Sequence, residues 1–253
     1  FPNITLAVDE KRVRAIKRLL ASENKPDIFL LDDAYQHRYV TPDISILLVD
    51  YNNLIYKDDL LPKGRLREKA SAKNRADIVV VTKCPADISP MDLRVITADL
   101  KLFSYQSLYF TKMVYDAPKA VFSAPLKDSY ADCSALALSG IAQPATFEQH
   151  VASLSSSMKE MRFSDHHNFT DEDYSRIKAA YDSLEGNKKV IFVTEKDAVR
   201  MMNDKLFPDS LKSAIYYIPM KVRFISYLKK DEQTFNSQII SYVTKNRSYM
   251  RLS

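Results

Sequence analysis

Asp77-Ile78-Val79-Val80-Val81-Thr82-Lys83 decides the fold class. From Ile78 to Thr82 every residue is β-branched, and no polar residue alternates with the apolar ones. A half-exposed strand would alternate, so both faces of this one must be buried, as in a parallel sheet covered by helices on each side. Two other runs have the same character: Ile44-Ser45-Ile46-Leu47-Leu48-Val49-Asp50 before it and Val190-Ile191-Phe192-Val193-Thr194 after it. Leu108 to Thr111, Ala135 to Ile141 and Leu211 to Pro219 also read as strand-like runs.

Helical patterns fall between these strands. Ser89 and Pro90 suit a helix start, Thr146 is expected to cap a helix from Phe147 to Leu154, and Thr170 with Asp173 has capping-box spacing. Tyr174, Ile177, Ala180, Tyr181 and Leu184 then supply an apolar face, and Val199 and Met202 mark another helix. The spacing predicts a last helix over Phe235 to Val243. Near the beginning, Ile4 to Val8 and Ile28 to Leu31 read as strands around a helix from Glu10 to Ser22, a βαβ unit. Strands alternating with helices throughout predict an α/β protein with a mostly parallel sheet.

Composition narrows the function classes. A chain of 253 residues, 46% of them hydrophobic, can build a sizeable core. The net charge of +5 is compatible with an anionic ligand or a membrane surface. It does not argue for nucleic acid, because no dense Lys/Arg block with interleaved aromatics occurs. Cys84 and Cys133 stand far apart without metal-ligand spacing and read as reduced thiols. No apolar run is long enough to span a bilayer. Only Gly64, Gly140 and Gly186 occur, so no Gly-rich phosphate loop of either common type can be assembled from these residues. The first residue is Phe1, which fits a piece of a longer protein.

Chemistry-bearing residues gather at predicted strand ends and turns. Asp32 and Asp33 follow the Ile28 to Leu31 run, with Gln36, His37 and Arg38 close behind. Two adjacent carboxylates there can hold a hard cation such as magnesium, or can simply cap a turn. Arg65 and Arg67, with Glu68, follow a turn forced by Pro62 and Gly64, and either clamp a phosphate or form a solvated basic loop. His166 and His167, beside Asp165, precede a helix. They admit a metal site, acid/base work or a loop that satisfies its own hydrogen bonds, and zinc is disfavoured because no further ligands stand at zinc spacing. Lys83 after Thr82, and Lys196 with Asp197 after Thr194, repeat a pattern that lines the pocket in nucleotide-binding sheets but also occurs at ordinary strand ends.

In this order the stretches resemble one family, the tetraacyldisaccharide 4'-kinases of lipid A synthesis. The matching segments are Asp32-Asp33-Ala34-Tyr35-Gln36-His37, Leu61-Pro62-Lys63-Gly64-Arg65-Leu66-Arg67-Glu68, Ser139-Gly140-Ile141 with Pro144 and Phe147, Phe163-Ser164-Asp165-His166-His167, and Thr194-Glu195-Lys196-Asp197-Ala198-Val199. The resemblance implies a P-loop NTPase-like three-layer αβα core, incomplete here, with a second, smaller α/β domain. Residues 1–50 and 190–253 are expected to supply the core, and residues 51–185 the second domain, which contributes to an interdomain active site. It implies transfer of the ATP γ-phosphate to the 4'-hydroxyl of a tetraacylated glucosamine disaccharide, at the cytoplasmic face of the bacterial inner membrane.

By the same resemblance Asp32 and Asp33 are Walker B-type acids that organise Mg2+, with Glu68 near the ion. Gln36, His37, Arg65, Lys196 and Asp197 are expected around the nucleotide. Arg67 would steady phosphate, and His166 would pair with an upstream Asp that acts as the base on the sugar hydroxyl. That Asp, the Walker A loop and a membrane-associated helix lie upstream of the segment matching Phe1 in the family. The chain is therefore expected to be a C-terminal fragment, inactive alone, that contacts a membrane surface peripherally. No nucleic acid and no obligate protein partner are expected. Two other readings compete: a metal-dependent phosphoesterase built on Asp165-His166-His167, and a non-catalytic nucleotide-binding module.

Overall fold

The computed structural model describes residues 4–122, 125, 128–142, 144–165 and 167–250. It comprises two compact units, one of Phe1–Met113 with Arg223–Ser253 and one of Val114–Val222.

In the first unit α1 (Arg12–Leu20) precedes β1 (Ile46–Asp50), β2 (Ile78–Thr82), α2 (Pro90–Leu100) and β3 (Ser107–Tyr115). Its sheet runs β1-β2-β3-β9, where β9 is Met220–Ile225, and β1, β2 and β3 are parallel. The run that decided the fold class is the buried centre of this sheet. Val79 and Val81 pack with Leu93, Ile96 and Leu100 of α2, while Ile78 and Val80 pack with Phe235 and Ile239 of α6 (Glu232–Met250). Alternate residues of one strand therefore meet different helices, which is why all of them are apolar. Ser89 caps α2 by accepting from the Asp92 amide, with Pro90 in the first turn.

The second unit has a five-stranded sheet in the order β4-β8-β7-β5-β6. Its strands are β4 (Lys119–Ala120), β5 (Ser134–Ser139), β6 (Ser157–Arg162), β7 (Lys189–Thr194) and β8 (Ile215–Ile218), and its helices are α3 (Ala145–Leu154), α4 (Asp171–Asp182) and α5 (Glu195–Met202). β5 is parallel to β6 and β7, and β7 to β8, with β4 antiparallel at the edge. Period two again divides the core. Ala135, Ala137, Val190 and Phe192 join Phe147 and Val151 of α3, whereas Leu136, Leu138, Ile191 and Val193 join Tyr174 and Ile177 of α4 and Met201 of α5.

The α/β class with mostly parallel sheets is as expected, but several elements differ. Residues 4–8 and 28–31 are not strands, and Leu6, Val8 and Leu30 are at least 86% exposed. Among the described residues neither segment has a ladder partner, and an extended segment without one forms no sheet. The helix between them is present as α1, with no buried residue. Thr146 is not a cap: α3 starts two residues earlier, at Ala145, with Pro144 at the N-cap position and no side-chain cap. The compact units are also bounded differently from the expected 1–50 with 190–253 against 51–185. β7 hydrogen-bonds between β5 and β8, so residues 190–222 belong with the sheet that holds 134–139.

Two buried acids fix the loops at the carboxyl edge of the second sheet. Asp197 is fully buried. Its Oδ2 accepts from the Gly140 amide at 2.9 Å and the Thr194 hydroxyl at 2.7 Å, and its Oδ1 from Arg200 Nη1 at 3.3 Å. One carboxylate thus ties the end of β5 to the start of α5. The tie makes residue 140 tight, since a Cβ would stand 3.0 Å from Asp197 Oδ1 and 3.3 Å from the Ser164 carbonyl oxygen. Asp173 completes the capping box of α4: Thr170 Oγ1 accepts from its amide at 3.3 Å and its own Oδ2 accepts from the Thr170 amide at 3.1 Å. Hydrogen bonding from the His167 ring and from Thr170 holds the Asp173 carboxyl below the ordinary carboxylate value.

Asp197→Ala removes these acceptors and strands the buried Gly140 amide, so it is expected to lower unfolding free energy by about 2–3 kcal/mol in denaturant titrations. Acid sensitivity should be traceable to Asp173. A carboxyl whose folded value is depressed contributes fully above its unfolded value of 3.8, and that contribution disappears as pH falls through the lower folded value. Asp173→Asn should therefore be less stable near neutrality and show a shallower loss of stability below pH ~4, as read by urea midpoints across pH.

Candidate functional site

The first unit brings two predicted motifs together through its loops. Gly64 sits where a Cβ would meet the Asp59 carbonyl oxygen at 2.1 Å, so the turn requires glycine. Around it the Gly64 amide donates to Leu60 O at 3.0 Å and the Arg65 amide to Asp58 Oδ1 at 3.2 Å. This turn delivers Arg67 to Asp33. Arg67 Nη1 donates to both carboxylate oxygens, at 3.1 and 3.0 Å, across 34 residues of sequence. Both side chains are largely exposed, 61% and 71%, so the pair contributes little to stability and separates at low cost. Asp33 has a left-handed backbone, φ 44°, which places the acid pair in a turn rather than after the expected strand.

A second contact anchors the same two segments. Arg75 grips Glu68 with both terminal nitrogens, Nη1 to Oε2 at 2.9 Å and Nη2 to Oε1 at 3.1 Å. Its Nη2 also donates to the Tyr35 carbonyl at 3.2 Å, and its guanidinium lies 4.7 Å from the Tyr35 ring centre. The Tyr35 hydroxyl, pushed up in pKa by burial, donates to Ala72 O at 2.7 Å. Tyr35 and Arg75 thus hold residues 32–37 against residues 66–75. Neither was expected at the site. Tyr35 lay inside a quoted motif, but no spacing rule links Arg75 to Glu68.

Glu68, expected near the ion, is engaged by Arg75 at both carboxylate oxygens. Among the described residues no three His, Cys, Asp or Glu side chains converge. The exposed pair Asp32 and Asp33 still suits magnesium, which is commonly held by one or two carboxylates together with water and substrate phosphates. Gln36 is exposed and His37 half-buried in the same turn, where the His37 amide donates to Ala34 O at 2.8 Å.

At the carboxyl ends of β1 and β2, Lys83 Nζ meets Asp50 Oδ2 at 2.7 Å. Burial raises the Asp50 value, but hydrogen bonds from Lys83 and the Asn52 amide outweigh it and hold the group below the ordinary range. Beside this pair is an open cavity of about 530 Å3, lined by Tyr51, Asn52, Tyr56, Asp58, Arg65 and Asp92 among others. Arg65 bonds Asn53 Oδ1 at its rim.

In the second unit the parallel strands β5, β6 and β7 end in Ser139-Gly140, Phe163 to Asn168 and Thr194 to Asp197. All three matching motifs of this half of the chain thus share one sheet edge, where ligands are commonly bound in open α/β sheets. Asp165 Oδ1 pairs with Lys196 Nζ at 2.7 Å, and His167 Nε2 lies 2.8 Å from Asp173 Oδ2. His166 lies outside the described residues. Asp197, expected near the nucleotide, is corrected to an internal tie, since it is fully buried and both its oxygens are occupied by protein donors. Arg162 and buried Glu148 form a forked pair, at 2.6 and 2.7 Å, that fastens α3 to the end of β6. The phosphoesterase reading loses ground here, because Asp165 and His167 turn to Lys196 and Asp173 instead of converging.

Comparison with known proteins gives a consistent result. The family model described as LpxK, tetraacyldisaccharide-1-P 4'-kinase, matches residues 1–243. The tetraacyldisaccharide 4'-kinase of Phocaeicola vulgatus is 44% identical over 252 residues, covering 97% of this chain and 68% of that protein. The protein of the same name from Bacteroides thetaiotaomicron is 41% identical over 258 residues, covering 97% and 67%. The chain therefore spans about two thirds of the length of these relatives. A crystal structure of Aquifex aeolicus LpxK, described as an apo form in complex with ATP, superposes with a TM-score of 0.57 at 21% identity. It covers 89% of this chain and 61% of that one, and is a likeness of fold. With ordered motifs, architecture and sequence in agreement, the chain belongs to the tetraacyldisaccharide-1-P 4'-kinase family.

Proposed function

We propose that the protein transfers the γ-phosphate of ATP to the 4'-hydroxyl of a tetraacyldisaccharide 1-phosphate, a step of lipid A synthesis. The observation that carries this reading is the meeting of Asp33 and Arg67, which sets a carboxylate and a guanidinium from two family motifs in one place. Phosphoryl transfer asks little covalent chemistry of a protein and depends on positioning and charge neutralisation. Asp32 and Asp33 would hold Mg2+, which when bound neutralises charge on the β- and γ-phosphates. Arg67, released from its exposed pair with Asp33, would move onto the transferring phosphate. Arg65, Gln36 and His37 would line the polyphosphate.

His166 would pair with an Asp base and so assist removal of the proton of the 4'-hydroxyl as its oxygen bonds to the γ-phosphorus. The bond from that phosphorus to the β–γ bridging oxygen breaks, and ADP leaves. The acylated acceptor places the reaction at a membrane surface, in our reading the cytoplasmic face of the inner membrane. Among the described residues no helix is long and apolar enough to cross a membrane. Gly64, Gly140 and Gly186 stand singly, so these 253 residues hold no Gly-rich phosphate cradle. We accordingly propose that the chain is silent when expressed by itself.

The test is label transfer from γ-labelled ATP to the lipid disaccharide, using protein expressed from the full reading frame. Transfer should require a divalent cation and stop with chelator. Asp33→Ala and Arg67→Ala should each lower kcat by about 100-fold or more, and the 253-residue chain alone should give no labelled lipid. Unchanged turnover in either variant would refute its assigned role, and no transfer by the full-frame protein would refute the function.

A further inference from the structure

One guanidinium holds the chain neighbours of both residues that carry the proposed function. Glu68 follows Arg67 directly, and Tyr35 stands two residues after Asp33. Arg75 Nη1 lies 2.9 Å from Glu68 Oε2, and Nη2 donates to Glu68 Oε1 at 3.1 Å and to the Tyr35 carbonyl at 3.2 Å. The guanidinium also faces the Tyr35 ring, 4.7 Å from its centre. The Arg75 and Glu68 side chains are 35% and 25% exposed, so this fork is better shielded from water than the pair of Arg67 and Asp33 in front of it. The base of the fork is fixed as well. Residue 75 ends the 3-10 turn Ala70–Arg75. There Gln106 Nε2 donates to the carbonyls of Lys73 at 2.9 Å and Ala76 at 2.7 Å, and the Tyr105 hydroxyl donates to that of Asn74 at 2.6 Å. Ala76 is fully buried and leads into β2.

Resting on the function proposed above, we propose that Arg75 is a positioning residue for phosphoryl transfer. From its anchored turn it grips the residues beside Arg67 and Asp33, and so sets where the Arg67 guanidinium stands relative to the acid pair. The bond between Arg67 and Asp33 cannot do this itself, because an exposed ion pair is weak and is given up once phosphate or a cation arrives. The brace persists through that exchange, since neither Glu68 nor Tyr35 has to release Arg75 for Arg67 to turn. Its contacts also need a guanidinium. A planar fork can span both carboxylate oxygens, reach a carbonyl and lie on a ring face together, whereas an ammonium is a point charge that cannot. Small displacements of a group that meets the reacting phosphate cost rate steeply.

The experiment uses protein from the full reading frame, with Mg-ATP and the lipid disaccharide. Arg75→Met keeps an unbranched side chain against the Tyr35 ring but removes the fork, and should lower kcat by about 10- to 100-fold. Arg75→Lys restores the charge without the fork, and its kcat should stay within about threefold of that of Arg75→Met. A kinetic cycle with Arg67 separates positioning from general loosening of the fold. In an Arg67→Ala background Arg75→Met should change kcat by less than about threefold, because the group it positions is gone. A loss of folded protein would instead cut activity by the same factor in both backgrounds.

Full kcat in Arg75→Met, recovery of the wild-type rate in Arg75→Lys, or an undiminished Arg75→Met effect in the Arg67→Ala background overturns the proposal, while wild-type activity leaves the kinase reading standing. A full-frame wild-type protein without transfer overturns both. If Arg75→Met does not fold, Glu68→Gln is measured in its place, since it breaks the fork from the other side. The same kcat loss is then expected with the Mg2+ concentration for half-maximal rate unchanged. Full kcat would contradict the proposal, and so would a raised Mg2+ requirement, which would give Glu68 to the ion rather than to the brace.

Discussion

The buried Asp197 carboxylate is the constraint on which the second unit's edge depends. A charge enclosed in protein is tolerated only where donors satisfy it, and here the Gly140 amide, the Thr194 hydroxyl and Arg200 do so. The requirement reads in both directions. The acid needs those donors, which links the ends of β5 and β7 to α5; the Gly140 amide needs the acid, so residue 140 approaches it closely, and a Cβ there would press on Asp197 Oδ1 at 3.0 Å. Through the Ser164 carbonyl, which a Cβ at 140 would meet at 3.3 Å, the same packing bears on the loop after β6. The loop after β6 is thereby set against the ends of β5 and β7 by one buried acid.

The two units use charge differently. In the second, three acids are buried and locked, Asp197, Asp173 and Glu148, by Gly140, Thr170 and Arg162. In the first, Asp33 and Arg67 are exposed and weakly paired, while Glu68 and Arg75 brace the loops behind them. Locked pairs hold geometry, and exposed pairs can exchange protein partners for phosphate or a cation at little cost.

Much of this was legible in the residues. The runs Ile78 to Val81 and Val190 to Val193 are buried on both faces, and Thr170 with Asp173 forms the capping box its spacing announced. The Ile28 to Leu31 run failed as a strand because strand character needs a hydrogen-bonding neighbour, which composition alone does not supply. Thr146 lost the capping position to Pro144, a two-residue shift that local pattern does not resolve. Asp197 was misread as a ligand group although its signal was present: Thr194 and Asp197 repeat the spacing of Thr170 and Asp173, and the Thr194 hydroxyl accepts from the Asp197 amide at 3.2 Å. The pairs Arg75 with Glu68 and Arg162 with Glu148 were invisible, since long side chains from separate elements meet by tertiary placement and leave no periodicity behind.

The account turns on the bond between a backbone amide and one buried acid, and amide hydrogen exchange at Gly140 reads that bond directly. In the native protein the Gly140 amide should exchange as slowly as the amides of the buried strand β5, and in Asp197→Ala it should lose that protection while the centre of β7 keeps its own. A Gly140 amide that exchanges in the native protein at the rate of an open loop would contradict the account.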